Sequence, residues 1–394
     1  MIYGKIWGGG NKYLNKLLVY ATSNTEFYRD YYLRENLQDF PIINKNVIRD
    51  NVKEMLSNEY SGKSLHSMST SGSTGNPLTV KQNRNKRNRV LAEIIYFGEQ
   101  CGYYLGDRNV YLRVWTKEIK KSRLAALKQN MIMLDTSNLG EENLERIRQV
   151  LKKDKKITCV LGYATTLDLL SKYMLEKNDD PTMFNLRVII SSAEVLNDIT
   201  KANLKKVFGC NVVSRYSNQE NGIIAQRPID EDFYVINKAS YHLEFLKINS
   251  DEEAQVGELA RIVITDLFNY AMPIIRYDIG DLAIREKHDK YGEVITSIEG
   301  RKNDFLYDTS GNILSPHSLG NNLWGFDEIK QYQLIQEDRA MYKLKINGDV
   351  AEQKIISVLK SFLGEDANIA IEYVSGIPSL KSGKFQTTVC KYKP

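Results

Sequence analysis

The segment Ser69–Pro77 (STSGSTGNP), rich in glycine and hydroxyl groups, is the strongest chemical signal in the sequence. Its glycines, Gly72 and Gly75, allow tight turns and close approach of the backbone to a ligand. Its hydroxyl and amide groups could bind phosphate oxygens, although the segment lacks the ending of a Walker loop. Its composition is equally typical of a flexible polar linker, but a strand and a helix are predicted directly after it.

Two motifs that begin with tyrosine follow later in the chain. In Tyr216–Glu220 (YSNQE), the Tyr216 ring could stack on a purine, and Glu220 offers a hard oxygen ligand for Mg²⁺. In Tyr277–Asp281 (YDIGD), a carboxylate after a glycine turn could accept hydrogen bonds from both hydroxyls of a ribose. Taken singly, the two motifs are also typical of a loop at a strand end and of a plain β-turn.

Two basic motifs lie toward the C-terminus. In Gly300–Asp304 (GRKND), Arg301 could donate hydrogen bonds to ribose or phosphate oxygens. In Pro378–Lys384 (PSLKSGK), Lys384 could act as a mobile point charge that is brought to a developing anion. Taken alone, either motif would be explained by solvated surface charges.

The order of these five motifs resembles that of the adenylate-forming superfamily, which includes acyl-CoA synthetases, luciferases and the adenylation domains of peptide synthetases. The resemblance spans about residues 66–387, and Ser191–Glu194 (SSAE) resembles the adenine-side loop of that family. The short chain, the dipeptide Gly162-Tyr163 and the Ser192-Ala193-Glu194 loop resemble the phenylacetate–CoA ligase branch. Within that branch, the resemblance is strongest to the CapK-like proteins of capsular polysaccharide biosynthesis.

The sequence departs from the family pattern at several positions. Asn303 replaces the usual first Asp of the hinge motif, and because Asn can adopt unusual backbone angles, the hinge function is still expected. Ser217–Gln219 replace the common G-x-T before Glu220. Thr387 replaces the Arg that often follows the lysine motif, and Ala164 replaces a Pro. None of these changes removes a group that the chemistry requires.

The resemblance implies that the chain activates a carboxylic acid by attack on the α-phosphate of ATP. This reaction forms an acyl-adenylate and releases pyrophosphate. Lys384 and Glu220 would be catalytic, and Glu220 would also hold Mg²⁺. The expected ATP- and AMP-binding residues are Ser71, Gly72, Ser73, Thr74, Gly75, Ser192, Ala193, Glu194, Tyr216, Ser217, Asn218, Asp281 and Arg301.

The resemblance implies a second acceptor for the acyl group but leaves its chemistry open. One interpretation is an amine of a sugar or amino acid in surface polysaccharide biosynthesis. The alternative is coenzyme A, as in ligases of the phenylacetate–CoA type. A further alternative is a catalytically inactive nucleotide-binding protein, and retention of both Glu220 and Lys384 argues against it. An unrelated structural or interaction protein is another alternative, which ATP binding would distinguish.

The strands and helices around these motifs are predicted from hydrophobic periodicity. Between residues 78 and 208, strands alternate with helices, which indicates βαβ units and a mainly parallel sheet. After about Asn211, strand-like segments follow turns, which predicts a more antiparallel, β-barrel-like layer. These segments include Ile274–Tyr277, and Gly300 is expected to begin a turn. The last part of the chain reads as a compact α+β unit.

We therefore predict an α/β fold with two domains. The chain has 394 residues, which is more than the roughly 250–300 residues at which a single hydrophobic core stops growing. Residues 1–300 are expected to form a large domain that binds ATP and the acid. Residues 301–394 are expected to form a small mobile α+β domain that carries the catalytic lysine, with its hinge at Asn303.

Composition excludes several classes of function. A net charge of +5 over this length does not indicate a nucleic-acid partner. No apolar run is long enough for a membrane span, and the N-terminus does not read as a secretory signal. The four cysteines are far apart, so neither a zinc site nor a disulfide framework is expected. We therefore expect a cytoplasmic enzyme.

Overall fold

The chain folds into two units, each made of two separate stretches of sequence. One unit comprises residues 1–98 and 215–297, and the other comprises residues 99–214 and 298–394. A computed structural model describes residues 10–32, 34, 36–69, 78–115, 120–301, 304–314, 316, 319, 323, 326, 328–378 and 386–392.

Short helices open the first unit. Leu14, Leu17, Leu18 and Ala21 follow helical spacing and bury one face of the first helix. The second helix is capped by Asn44, whose side chain accepts hydrogen bonds from the backbone N–H groups of Asn46 and Val47. The helices are α1 (Gly10–Asn24), α2 (Lys45–Asp50) and α3 (Val52–Met55), with 3₁₀ turns at Arg29–Tyr31, Leu37–Asp39 and Asn58–Tyr60.

A two-stranded hairpin and a long helix follow. Strands β1 (His66–Ser69) and β2 (Thr79–Gln82) pair antiparallel, with Ser69 opposite Thr79. The Oγ atom of Ser69 and the Oγ1 atom of Thr79 lie 2.9 Å apart. The helix is α4 (Arg84–Glu99). The predicted strand and helix after the phosphate loop are therefore confirmed.

Antiparallel strands make up the rest of the first unit. Their spatial order is β10 (Tyr241–Leu246), β11 (Leu259–Asp266), β12 (Tyr277–His288), β13 (Gly292–Arg301), β9 (Tyr234–Ile236), β8 (Gly222–Gln226) and β7 (Asn211–Asn218). The pairs β10–β11, β11–β12, β9–β13, β8–β9 and β7–β8 are all antiparallel, as predicted for this region. Strand β7 begins, and strand β13 ends, at residues of the second unit.

The predicted strand Ile274–Tyr277 is wrong, because strand structure begins only at Tyr277. Arg276 has φ +51°, in the left-handed region that breaks a strand. Its guanidinium group bonds to the Glu244 carboxylate at 3.0 Å and to the backbone oxygen of Phe40 at 3.0 Å. These contacts hold the side chain in a buried position and stabilise the unusual backbone conformation.

The second unit contains the predicted parallel sheet. The spatial order of its strands is β7, β6 (Val188–Ser192), β5 (Ile157–Tyr163), β3 (Arg108–Arg113) and β4 (Met131–Asp135). Strand β3 pairs parallel with β4 and β5, and β5 pairs parallel with β6. Helices alternate with these strands, so the predicted βαβ units are confirmed.

Each helix of this layer has an identifiable local cause. The charged helix buries Leu144, Ile147 and Leu151 on one face. The last helix begins where the Asn197 side chain accepts a hydrogen bond from Thr200 N, and it ends at Gly209, whose φ is +61°. The helices are α5 (Arg123–Lys128), α6 (Glu141–Lys153), α7 (Ala164–Glu176) and α8 (Asp198–Phe208), with a 3₁₀ turn at Pro181–Met183.

The C-terminal residues of the second unit form a four-stranded sheet covered by a helix. The helix buries Ile355, Leu359 and Leu363 at helical spacing against this sheet. Burying each of these side chains contributes roughly 1.5–3 kcal/mol. The elements are the hairpin β14 (Leu306–Tyr307) and β15 (Ile313–Leu314), the helix α9 (Glu352–Leu363), and a sheet ordered β18 (Asn368–Tyr373), β17 (Met341–Gly348), β16 (Ile329–Asp338) and β19 (Thr388–Cys390).

Residues between 306 and 367 share one hydrophobic cluster, and residues between 110 and 212 share another. The predicted domain boundary between residues 300 and 301 stays a prediction. Gly300 has φ +98°, but it and Arg301 are the last residues of β13 rather than the start of a turn. Among the described residues, no helix combines the length and apolar character needed to cross a bilayer.

Candidate active site

The two tyrosine-led motifs are hydrogen-bonded to each other. The Tyr216 hydroxyl donates to Oδ2 of Asp281 at 2.6 Å, and the Tyr277 hydroxyl donates to Oε1 of Glu220 at 3.1 Å. The first residue of each motif thus binds the last residue of the other. Strands β13, β9 and β8 lie between β12 and β7 in the sheet. The sheet of the first unit must therefore curl strongly to bring the two motifs together, as expected for a barrel-like layer.

Asp281 lies in an irregular part of β12 rather than in a plain turn. The register against β11 shifts between Arg261 opposite Leu282 and Val263 opposite Asp278, so extra residues of β12 bulge out. Gly280, at φ +83°, supplies the left-handed conformation that this bulge needs. The backbone N–H of Gly280 donates to the Asp278 carboxylate at 2.9 Å. The bulge re-aims the Asp281 side chain toward Tyr216.

Glu220 is held by three separate parts of the first unit. Its side chain is only 3% exposed, and the Lys45 ammonium lies 3.7 Å from the same Oε1 atom that accepts the Tyr277 hydrogen bond. The side-chain amide of Gln82 donates to the Glu220 backbone oxygen at 2.9 Å. The carboxylate is therefore fixed in position by the protein alone.

The surroundings of Glu220 fit a magnesium ion whose other ligands would be substrate phosphates and water. No group of three or more His, Cys, Asp or Glu residues among the described positions could form an all-protein metal cage. Mg²⁺ is usually bound by one or two carboxylates together with substrate phosphates and water. A single buried carboxylate beside a proposed nucleotide site matches that donor set.

The Ser192–Glu194 loop lies in the second unit, at the carboxyl end of β6. Ala193 has φ +72°, an unusual conformation for a residue with a Cβ atom and one that clusters at functional sites. Oε2 of Glu194 accepts hydrogen bonds from N of Thr165 at 3.0 Å and from its Oγ1 at 2.8 Å. Glu194 therefore binds the first turn of α7.

The remaining predicted residues fall into two groups. Ser217 and Asn218 are the last residues of β7. Oδ1 of Asn218 accepts a hydrogen bond from N of Asn221 at 2.8 Å, and Arg301 ends β13. The predicted phosphate-loop residues Ser71, Gly72, Ser73, Thr74 and Gly75, the hinge residue Asn303 and the lysine Lys384 lie outside the described residues.

Sequence reasoning missed a buried network beneath Glu220. Lys86 and Asp266 form an ion pair of 2.7 Å in which both side chains are fully buried. The Lys86 ammonium also donates to the Tyr241 hydroxyl at 2.9 Å, and that hydroxyl donates to the backbone oxygen of Asn221 at 2.5 Å. Burial, together with the charges of Glu93 and Asp266, raises the pKa of Tyr241, so the hydroxyl keeps its proton. Because Asn221 follows Glu220 in the sequence, the hydrogen bond to its backbone oxygen connects this buried network to the candidate site.

Comparison with known proteins gives two kinds of relative. Residues 306–391 match the family described as the CapK C-terminal domain. The chain is 27% identical to "Protein CapK" of Staphylococcus aureus over 401 aligned positions, which cover 95% of this chain and 87% of that protein.

Solved structures with low sequence identity share the fold. A 2-hydroxyisobutyryl-CoA ligase in complex with 2-HIB-AMP gives a TM-score of 0.76 at 16% identity, covering 97% of this chain and 89% of that chain. ATP-bound MatB from Rhodopseudomonas palustris gives 0.60 at 15% identity, covering 81% and 66%. The anthranilate CoA ligase AuaEII in complex with anthranoyl-AMP gives 0.59 at 14% identity, covering 81% and 64%. The chain is thus similar to Protein CapK over most of its length and shares the fold of these ligases.

Proposed function

We propose that this chain is an ATP-dependent, AMP-forming ligase that activates a carboxylic acid as an acyl-adenylate. The hydrogen bond between Tyr216 and Asp281 is the observation that carries the proposal. This bond joins an aromatic side chain that we propose stacks on adenine to a carboxylate that we propose binds the two ribose hydroxyls, and both groups belong to motifs of the adenylate-forming pattern. The solved structures of the same fold are named as complexes with ATP or an acyl-adenylate, which supports the same assignment.

Different residues of the chain then have separate roles in the first half-reaction, the formation of the acyl-adenylate. Asp281 and Arg301 bind the ribose, and the backbone of Ser192–Glu194 lies beside adenine. Ser71, Gly72, Ser73, Thr74 and Gly75 bind the leaving phosphates through hydroxyl and amide groups. Negative charge accumulates at the α-phosphate during attack by the carboxylate, and Lys384 stabilises it. Mg²⁺, held by Glu220, neutralises phosphate charge when it is bound.

The second half-reaction transfers the acyl group from AMP to a nucleophile. Homology to CapK favours an amine of a sugar or amino acid as the acceptor, in the biosynthesis of a surface polysaccharide. The named CoA ligases of the same fold favour coenzyme A as the alternative acceptor. In both cases, the nucleophile attacks the acyl carbon and releases a proton to solvent, the bond between the acyl carbon and the phosphate oxygen breaks, and AMP leaves with the electron pair of that bond.

The deciding experiment follows the nucleotide. The protein, Mg²⁺, a pool of carboxylic acids and ATP labelled at the α-phosphate are incubated together, and the nucleotides are separated by chromatography. AMP, with pyrophosphate and an enzyme-bound acyl-adenylate found by mass spectrometry, is the expected result. ADP as the product would contradict the proposal, and ATP binding without turnover of any acid would favour the inactive nucleotide-binding protein.

The acceptor is identified in a second step with the acid found in the first. Coenzyme A, amino sugars and amino acids are offered separately, and release of AMP beyond one equivalent is measured. The Glu220→Gln variant serves as the control for the metal, because it keeps the shape of the side chain but removes the charge. We expect this variant to need a higher Mg²⁺ concentration for the same pyrophosphate exchange.

A further inference from the structure

The strands of the parallel sheet in the second unit all begin at one end of the sheet, which we call the amino-terminal edge. This edge carries exposed aliphatic side chains and cations. Asn109 is opposite both Met131 and Cys159, and Cys159 is opposite Val188, so β3, β4, β5 and β6 all begin at this edge. The Ser192–Glu194 loop follows the other end of β6 and therefore lies at the opposite edge. The amino-terminal edge is thus separate from the Ser192–Glu194 loop of the candidate active site.

The apolar part of this edge comes from a loop and a short helix. Leu105 is 79% exposed in the loop before β3, and Leu124 and Leu127 are 63% and 74% exposed on α5, which precedes β4. The Asn130 side chain donates to the backbone oxygen of Gly106 at 3.0 Å, so the end of α5 is held against the loop. We call Leu105, Leu124 and Leu127 the edge leucines.

Positive charge surrounds the edge leucines. The two acids nearest to the strand starts, Asp107 and Asp154, are each paired with an arginine, Arg187 and Arg108 respectively. The exposed acid Asp180 lies farther along the same edge and binds Thr182. Apart from the paired Arg187, the exposed cations in these segments include Lys120, Arg123, Lys128, Lys155 and Lys156. The edge therefore has a clear excess of positive charge.

We propose that this edge binds the surface of an anionic lipid membrane. The edge leucines protrude into solvent, so they suit insertion into the boundary between headgroups and acyl chains. The cations around them complement negatively charged headgroups, and each cation near such a surface strengthens binding by about fivefold. A soluble anion would use the cations alone and would leave the exposed leucines unexplained.

Flotation of the full-length protein with vesicles tests the proposal. The expected result is binding to vesicles of phosphatidylglycerol and phosphatidylcholine at low salt, with weaker binding at high salt. Leu124→Gln combined with Leu127→Gln should lower the partition coefficient by about tenfold or more, because two buried apolar side chains are lost. Arg123→Gln combined with Lys128→Gln should lower it by about 25-fold, which is fivefold for each cation, and reduce the salt dependence.

Matched variants distinguish the edge from other exposed side chains. Val19, which is 66% exposed on α1, provides the apolar control Val19→Gln, and the exposed Lys53 provides the charge control Lys53→Gln. Both controls should bind vesicles as the unchanged protein does, and circular dichroism should show that every variant is folded. Failure of the unchanged protein to float would overturn the proposal. Loss of binding in the charge variant but not in the leucine variant would also overturn it, because binding would then depend on surface charge alone, without insertion of the edge leucines.

Discussion

The hydroxyl group of Tyr216 lies 2.6 Å from Oδ2 of Asp281, to which it donates a hydrogen bond across a curled sheet. The two residues are 65 positions apart in sequence. A second bond, from Tyr277 to Glu220, runs in the reverse sense between the same two motifs. The pair of bonds fixes an aromatic ring, two carboxylates and their spacing before any ligand arrives. Such preorganisation lowers the cost of ordering the site when a nucleotide binds.

Removing the Asp281 carboxylate should weaken ATP binding. In Asp281→Ala, the two ribose hydroxyls lose charge-assisted hydrogen bonds of roughly 1.5–3 kcal/mol each. Isothermal titration calorimetry with ATP measures the change. The exposed Asp289, in the turn after β12, provides the matched control Asp289→Ala, which should bind ATP normally. If folded Asp281→Ala keeps its full affinity, Asp281 does not contact the ribose.

The ring and the hydroxyl of Tyr216 should contribute differently. Tyr216→Phe keeps the ring, so stacking on adenine should survive, and only the contribution of the hydrogen bond to Asp281, roughly 0.5–1.5 kcal/mol, should be lost. Tyr216→Ala removes the ring and should cost about 1–3 kcal/mol, the range found for stacking of a base on an aromatic side chain. The same calorimetric titration compares the two variants. Equal losses in both would show that the hydroxyl rather than the ring matters, which would contradict the stacking role.

The buried pair Lys86–Asp266 should be important for stability. Lys86→Met leaves the Asp266 carboxylate without its partner at a fully buried position, which should lower the free energy of unfolding by roughly 3–5 kcal/mol. Urea denaturation followed by circular dichroism gives this value. Lys53→Met, at an exposed lysine of α3, is the control and should be nearly neutral. A change below about 1 kcal/mol would mean that the carboxylate is protonated or hydrated in the variant.

The sequence predicts the elements of this fold well where one face of an element is buried. The spacing of Leu144, Ile147 and Leu151 is typical of an amphipathic helix, and these residues form the buried face of α6. The alternation of strands and helices between residues 78 and 208 predicts the parallel layer, because each helix must cover the sheet that its neighbouring strands form. These signals are local, so they can be read without knowledge of the folded chain.

The contacts that assemble the site cannot be read in the same way. Lys45 meets Glu220 although the two are far apart in sequence, and no motif surrounds Lys45 to draw attention to it. Arg276 looks like a strand residue in an apolar run, but its contacts with Glu244 and Phe40 hold it in a left-handed conformation. In both cases a long-range partner decides the outcome, and local propensity has no access to such partners.

The last prediction concerns Lys384, which follows the glycine of the motif Pro378–Lys384 and lies outside the described residues. If Lys384 stabilises negative charge at the α-phosphate, Lys384→Ala should slow adenylation by about 10²–10³, the scale seen when one preorganised donor is removed. ATP affinity should change little, because the proposed ribose and β,γ-phosphate contacts belong to other residues. Pyrophosphate exchange measures the first effect and calorimetry measures the second.

The same variant should separate the two half-reactions. In the proposed mechanism, the domain that carries Lys384 moves away before acyl transfer. Lys384→Ala supplied with synthetic acyl-AMP should therefore still pass the acyl group to its acceptor at a nearly normal rate. Lys381→Ala, three residues earlier in the same motif, is the matched control and should leave both steps intact. Equal loss of both steps would indicate misfolding, which circular dichroism would detect. Retention of both steps would show that Lys384 is only a surface charge, because a residue that stabilises the first transition state cannot be removed without slowing adenylation.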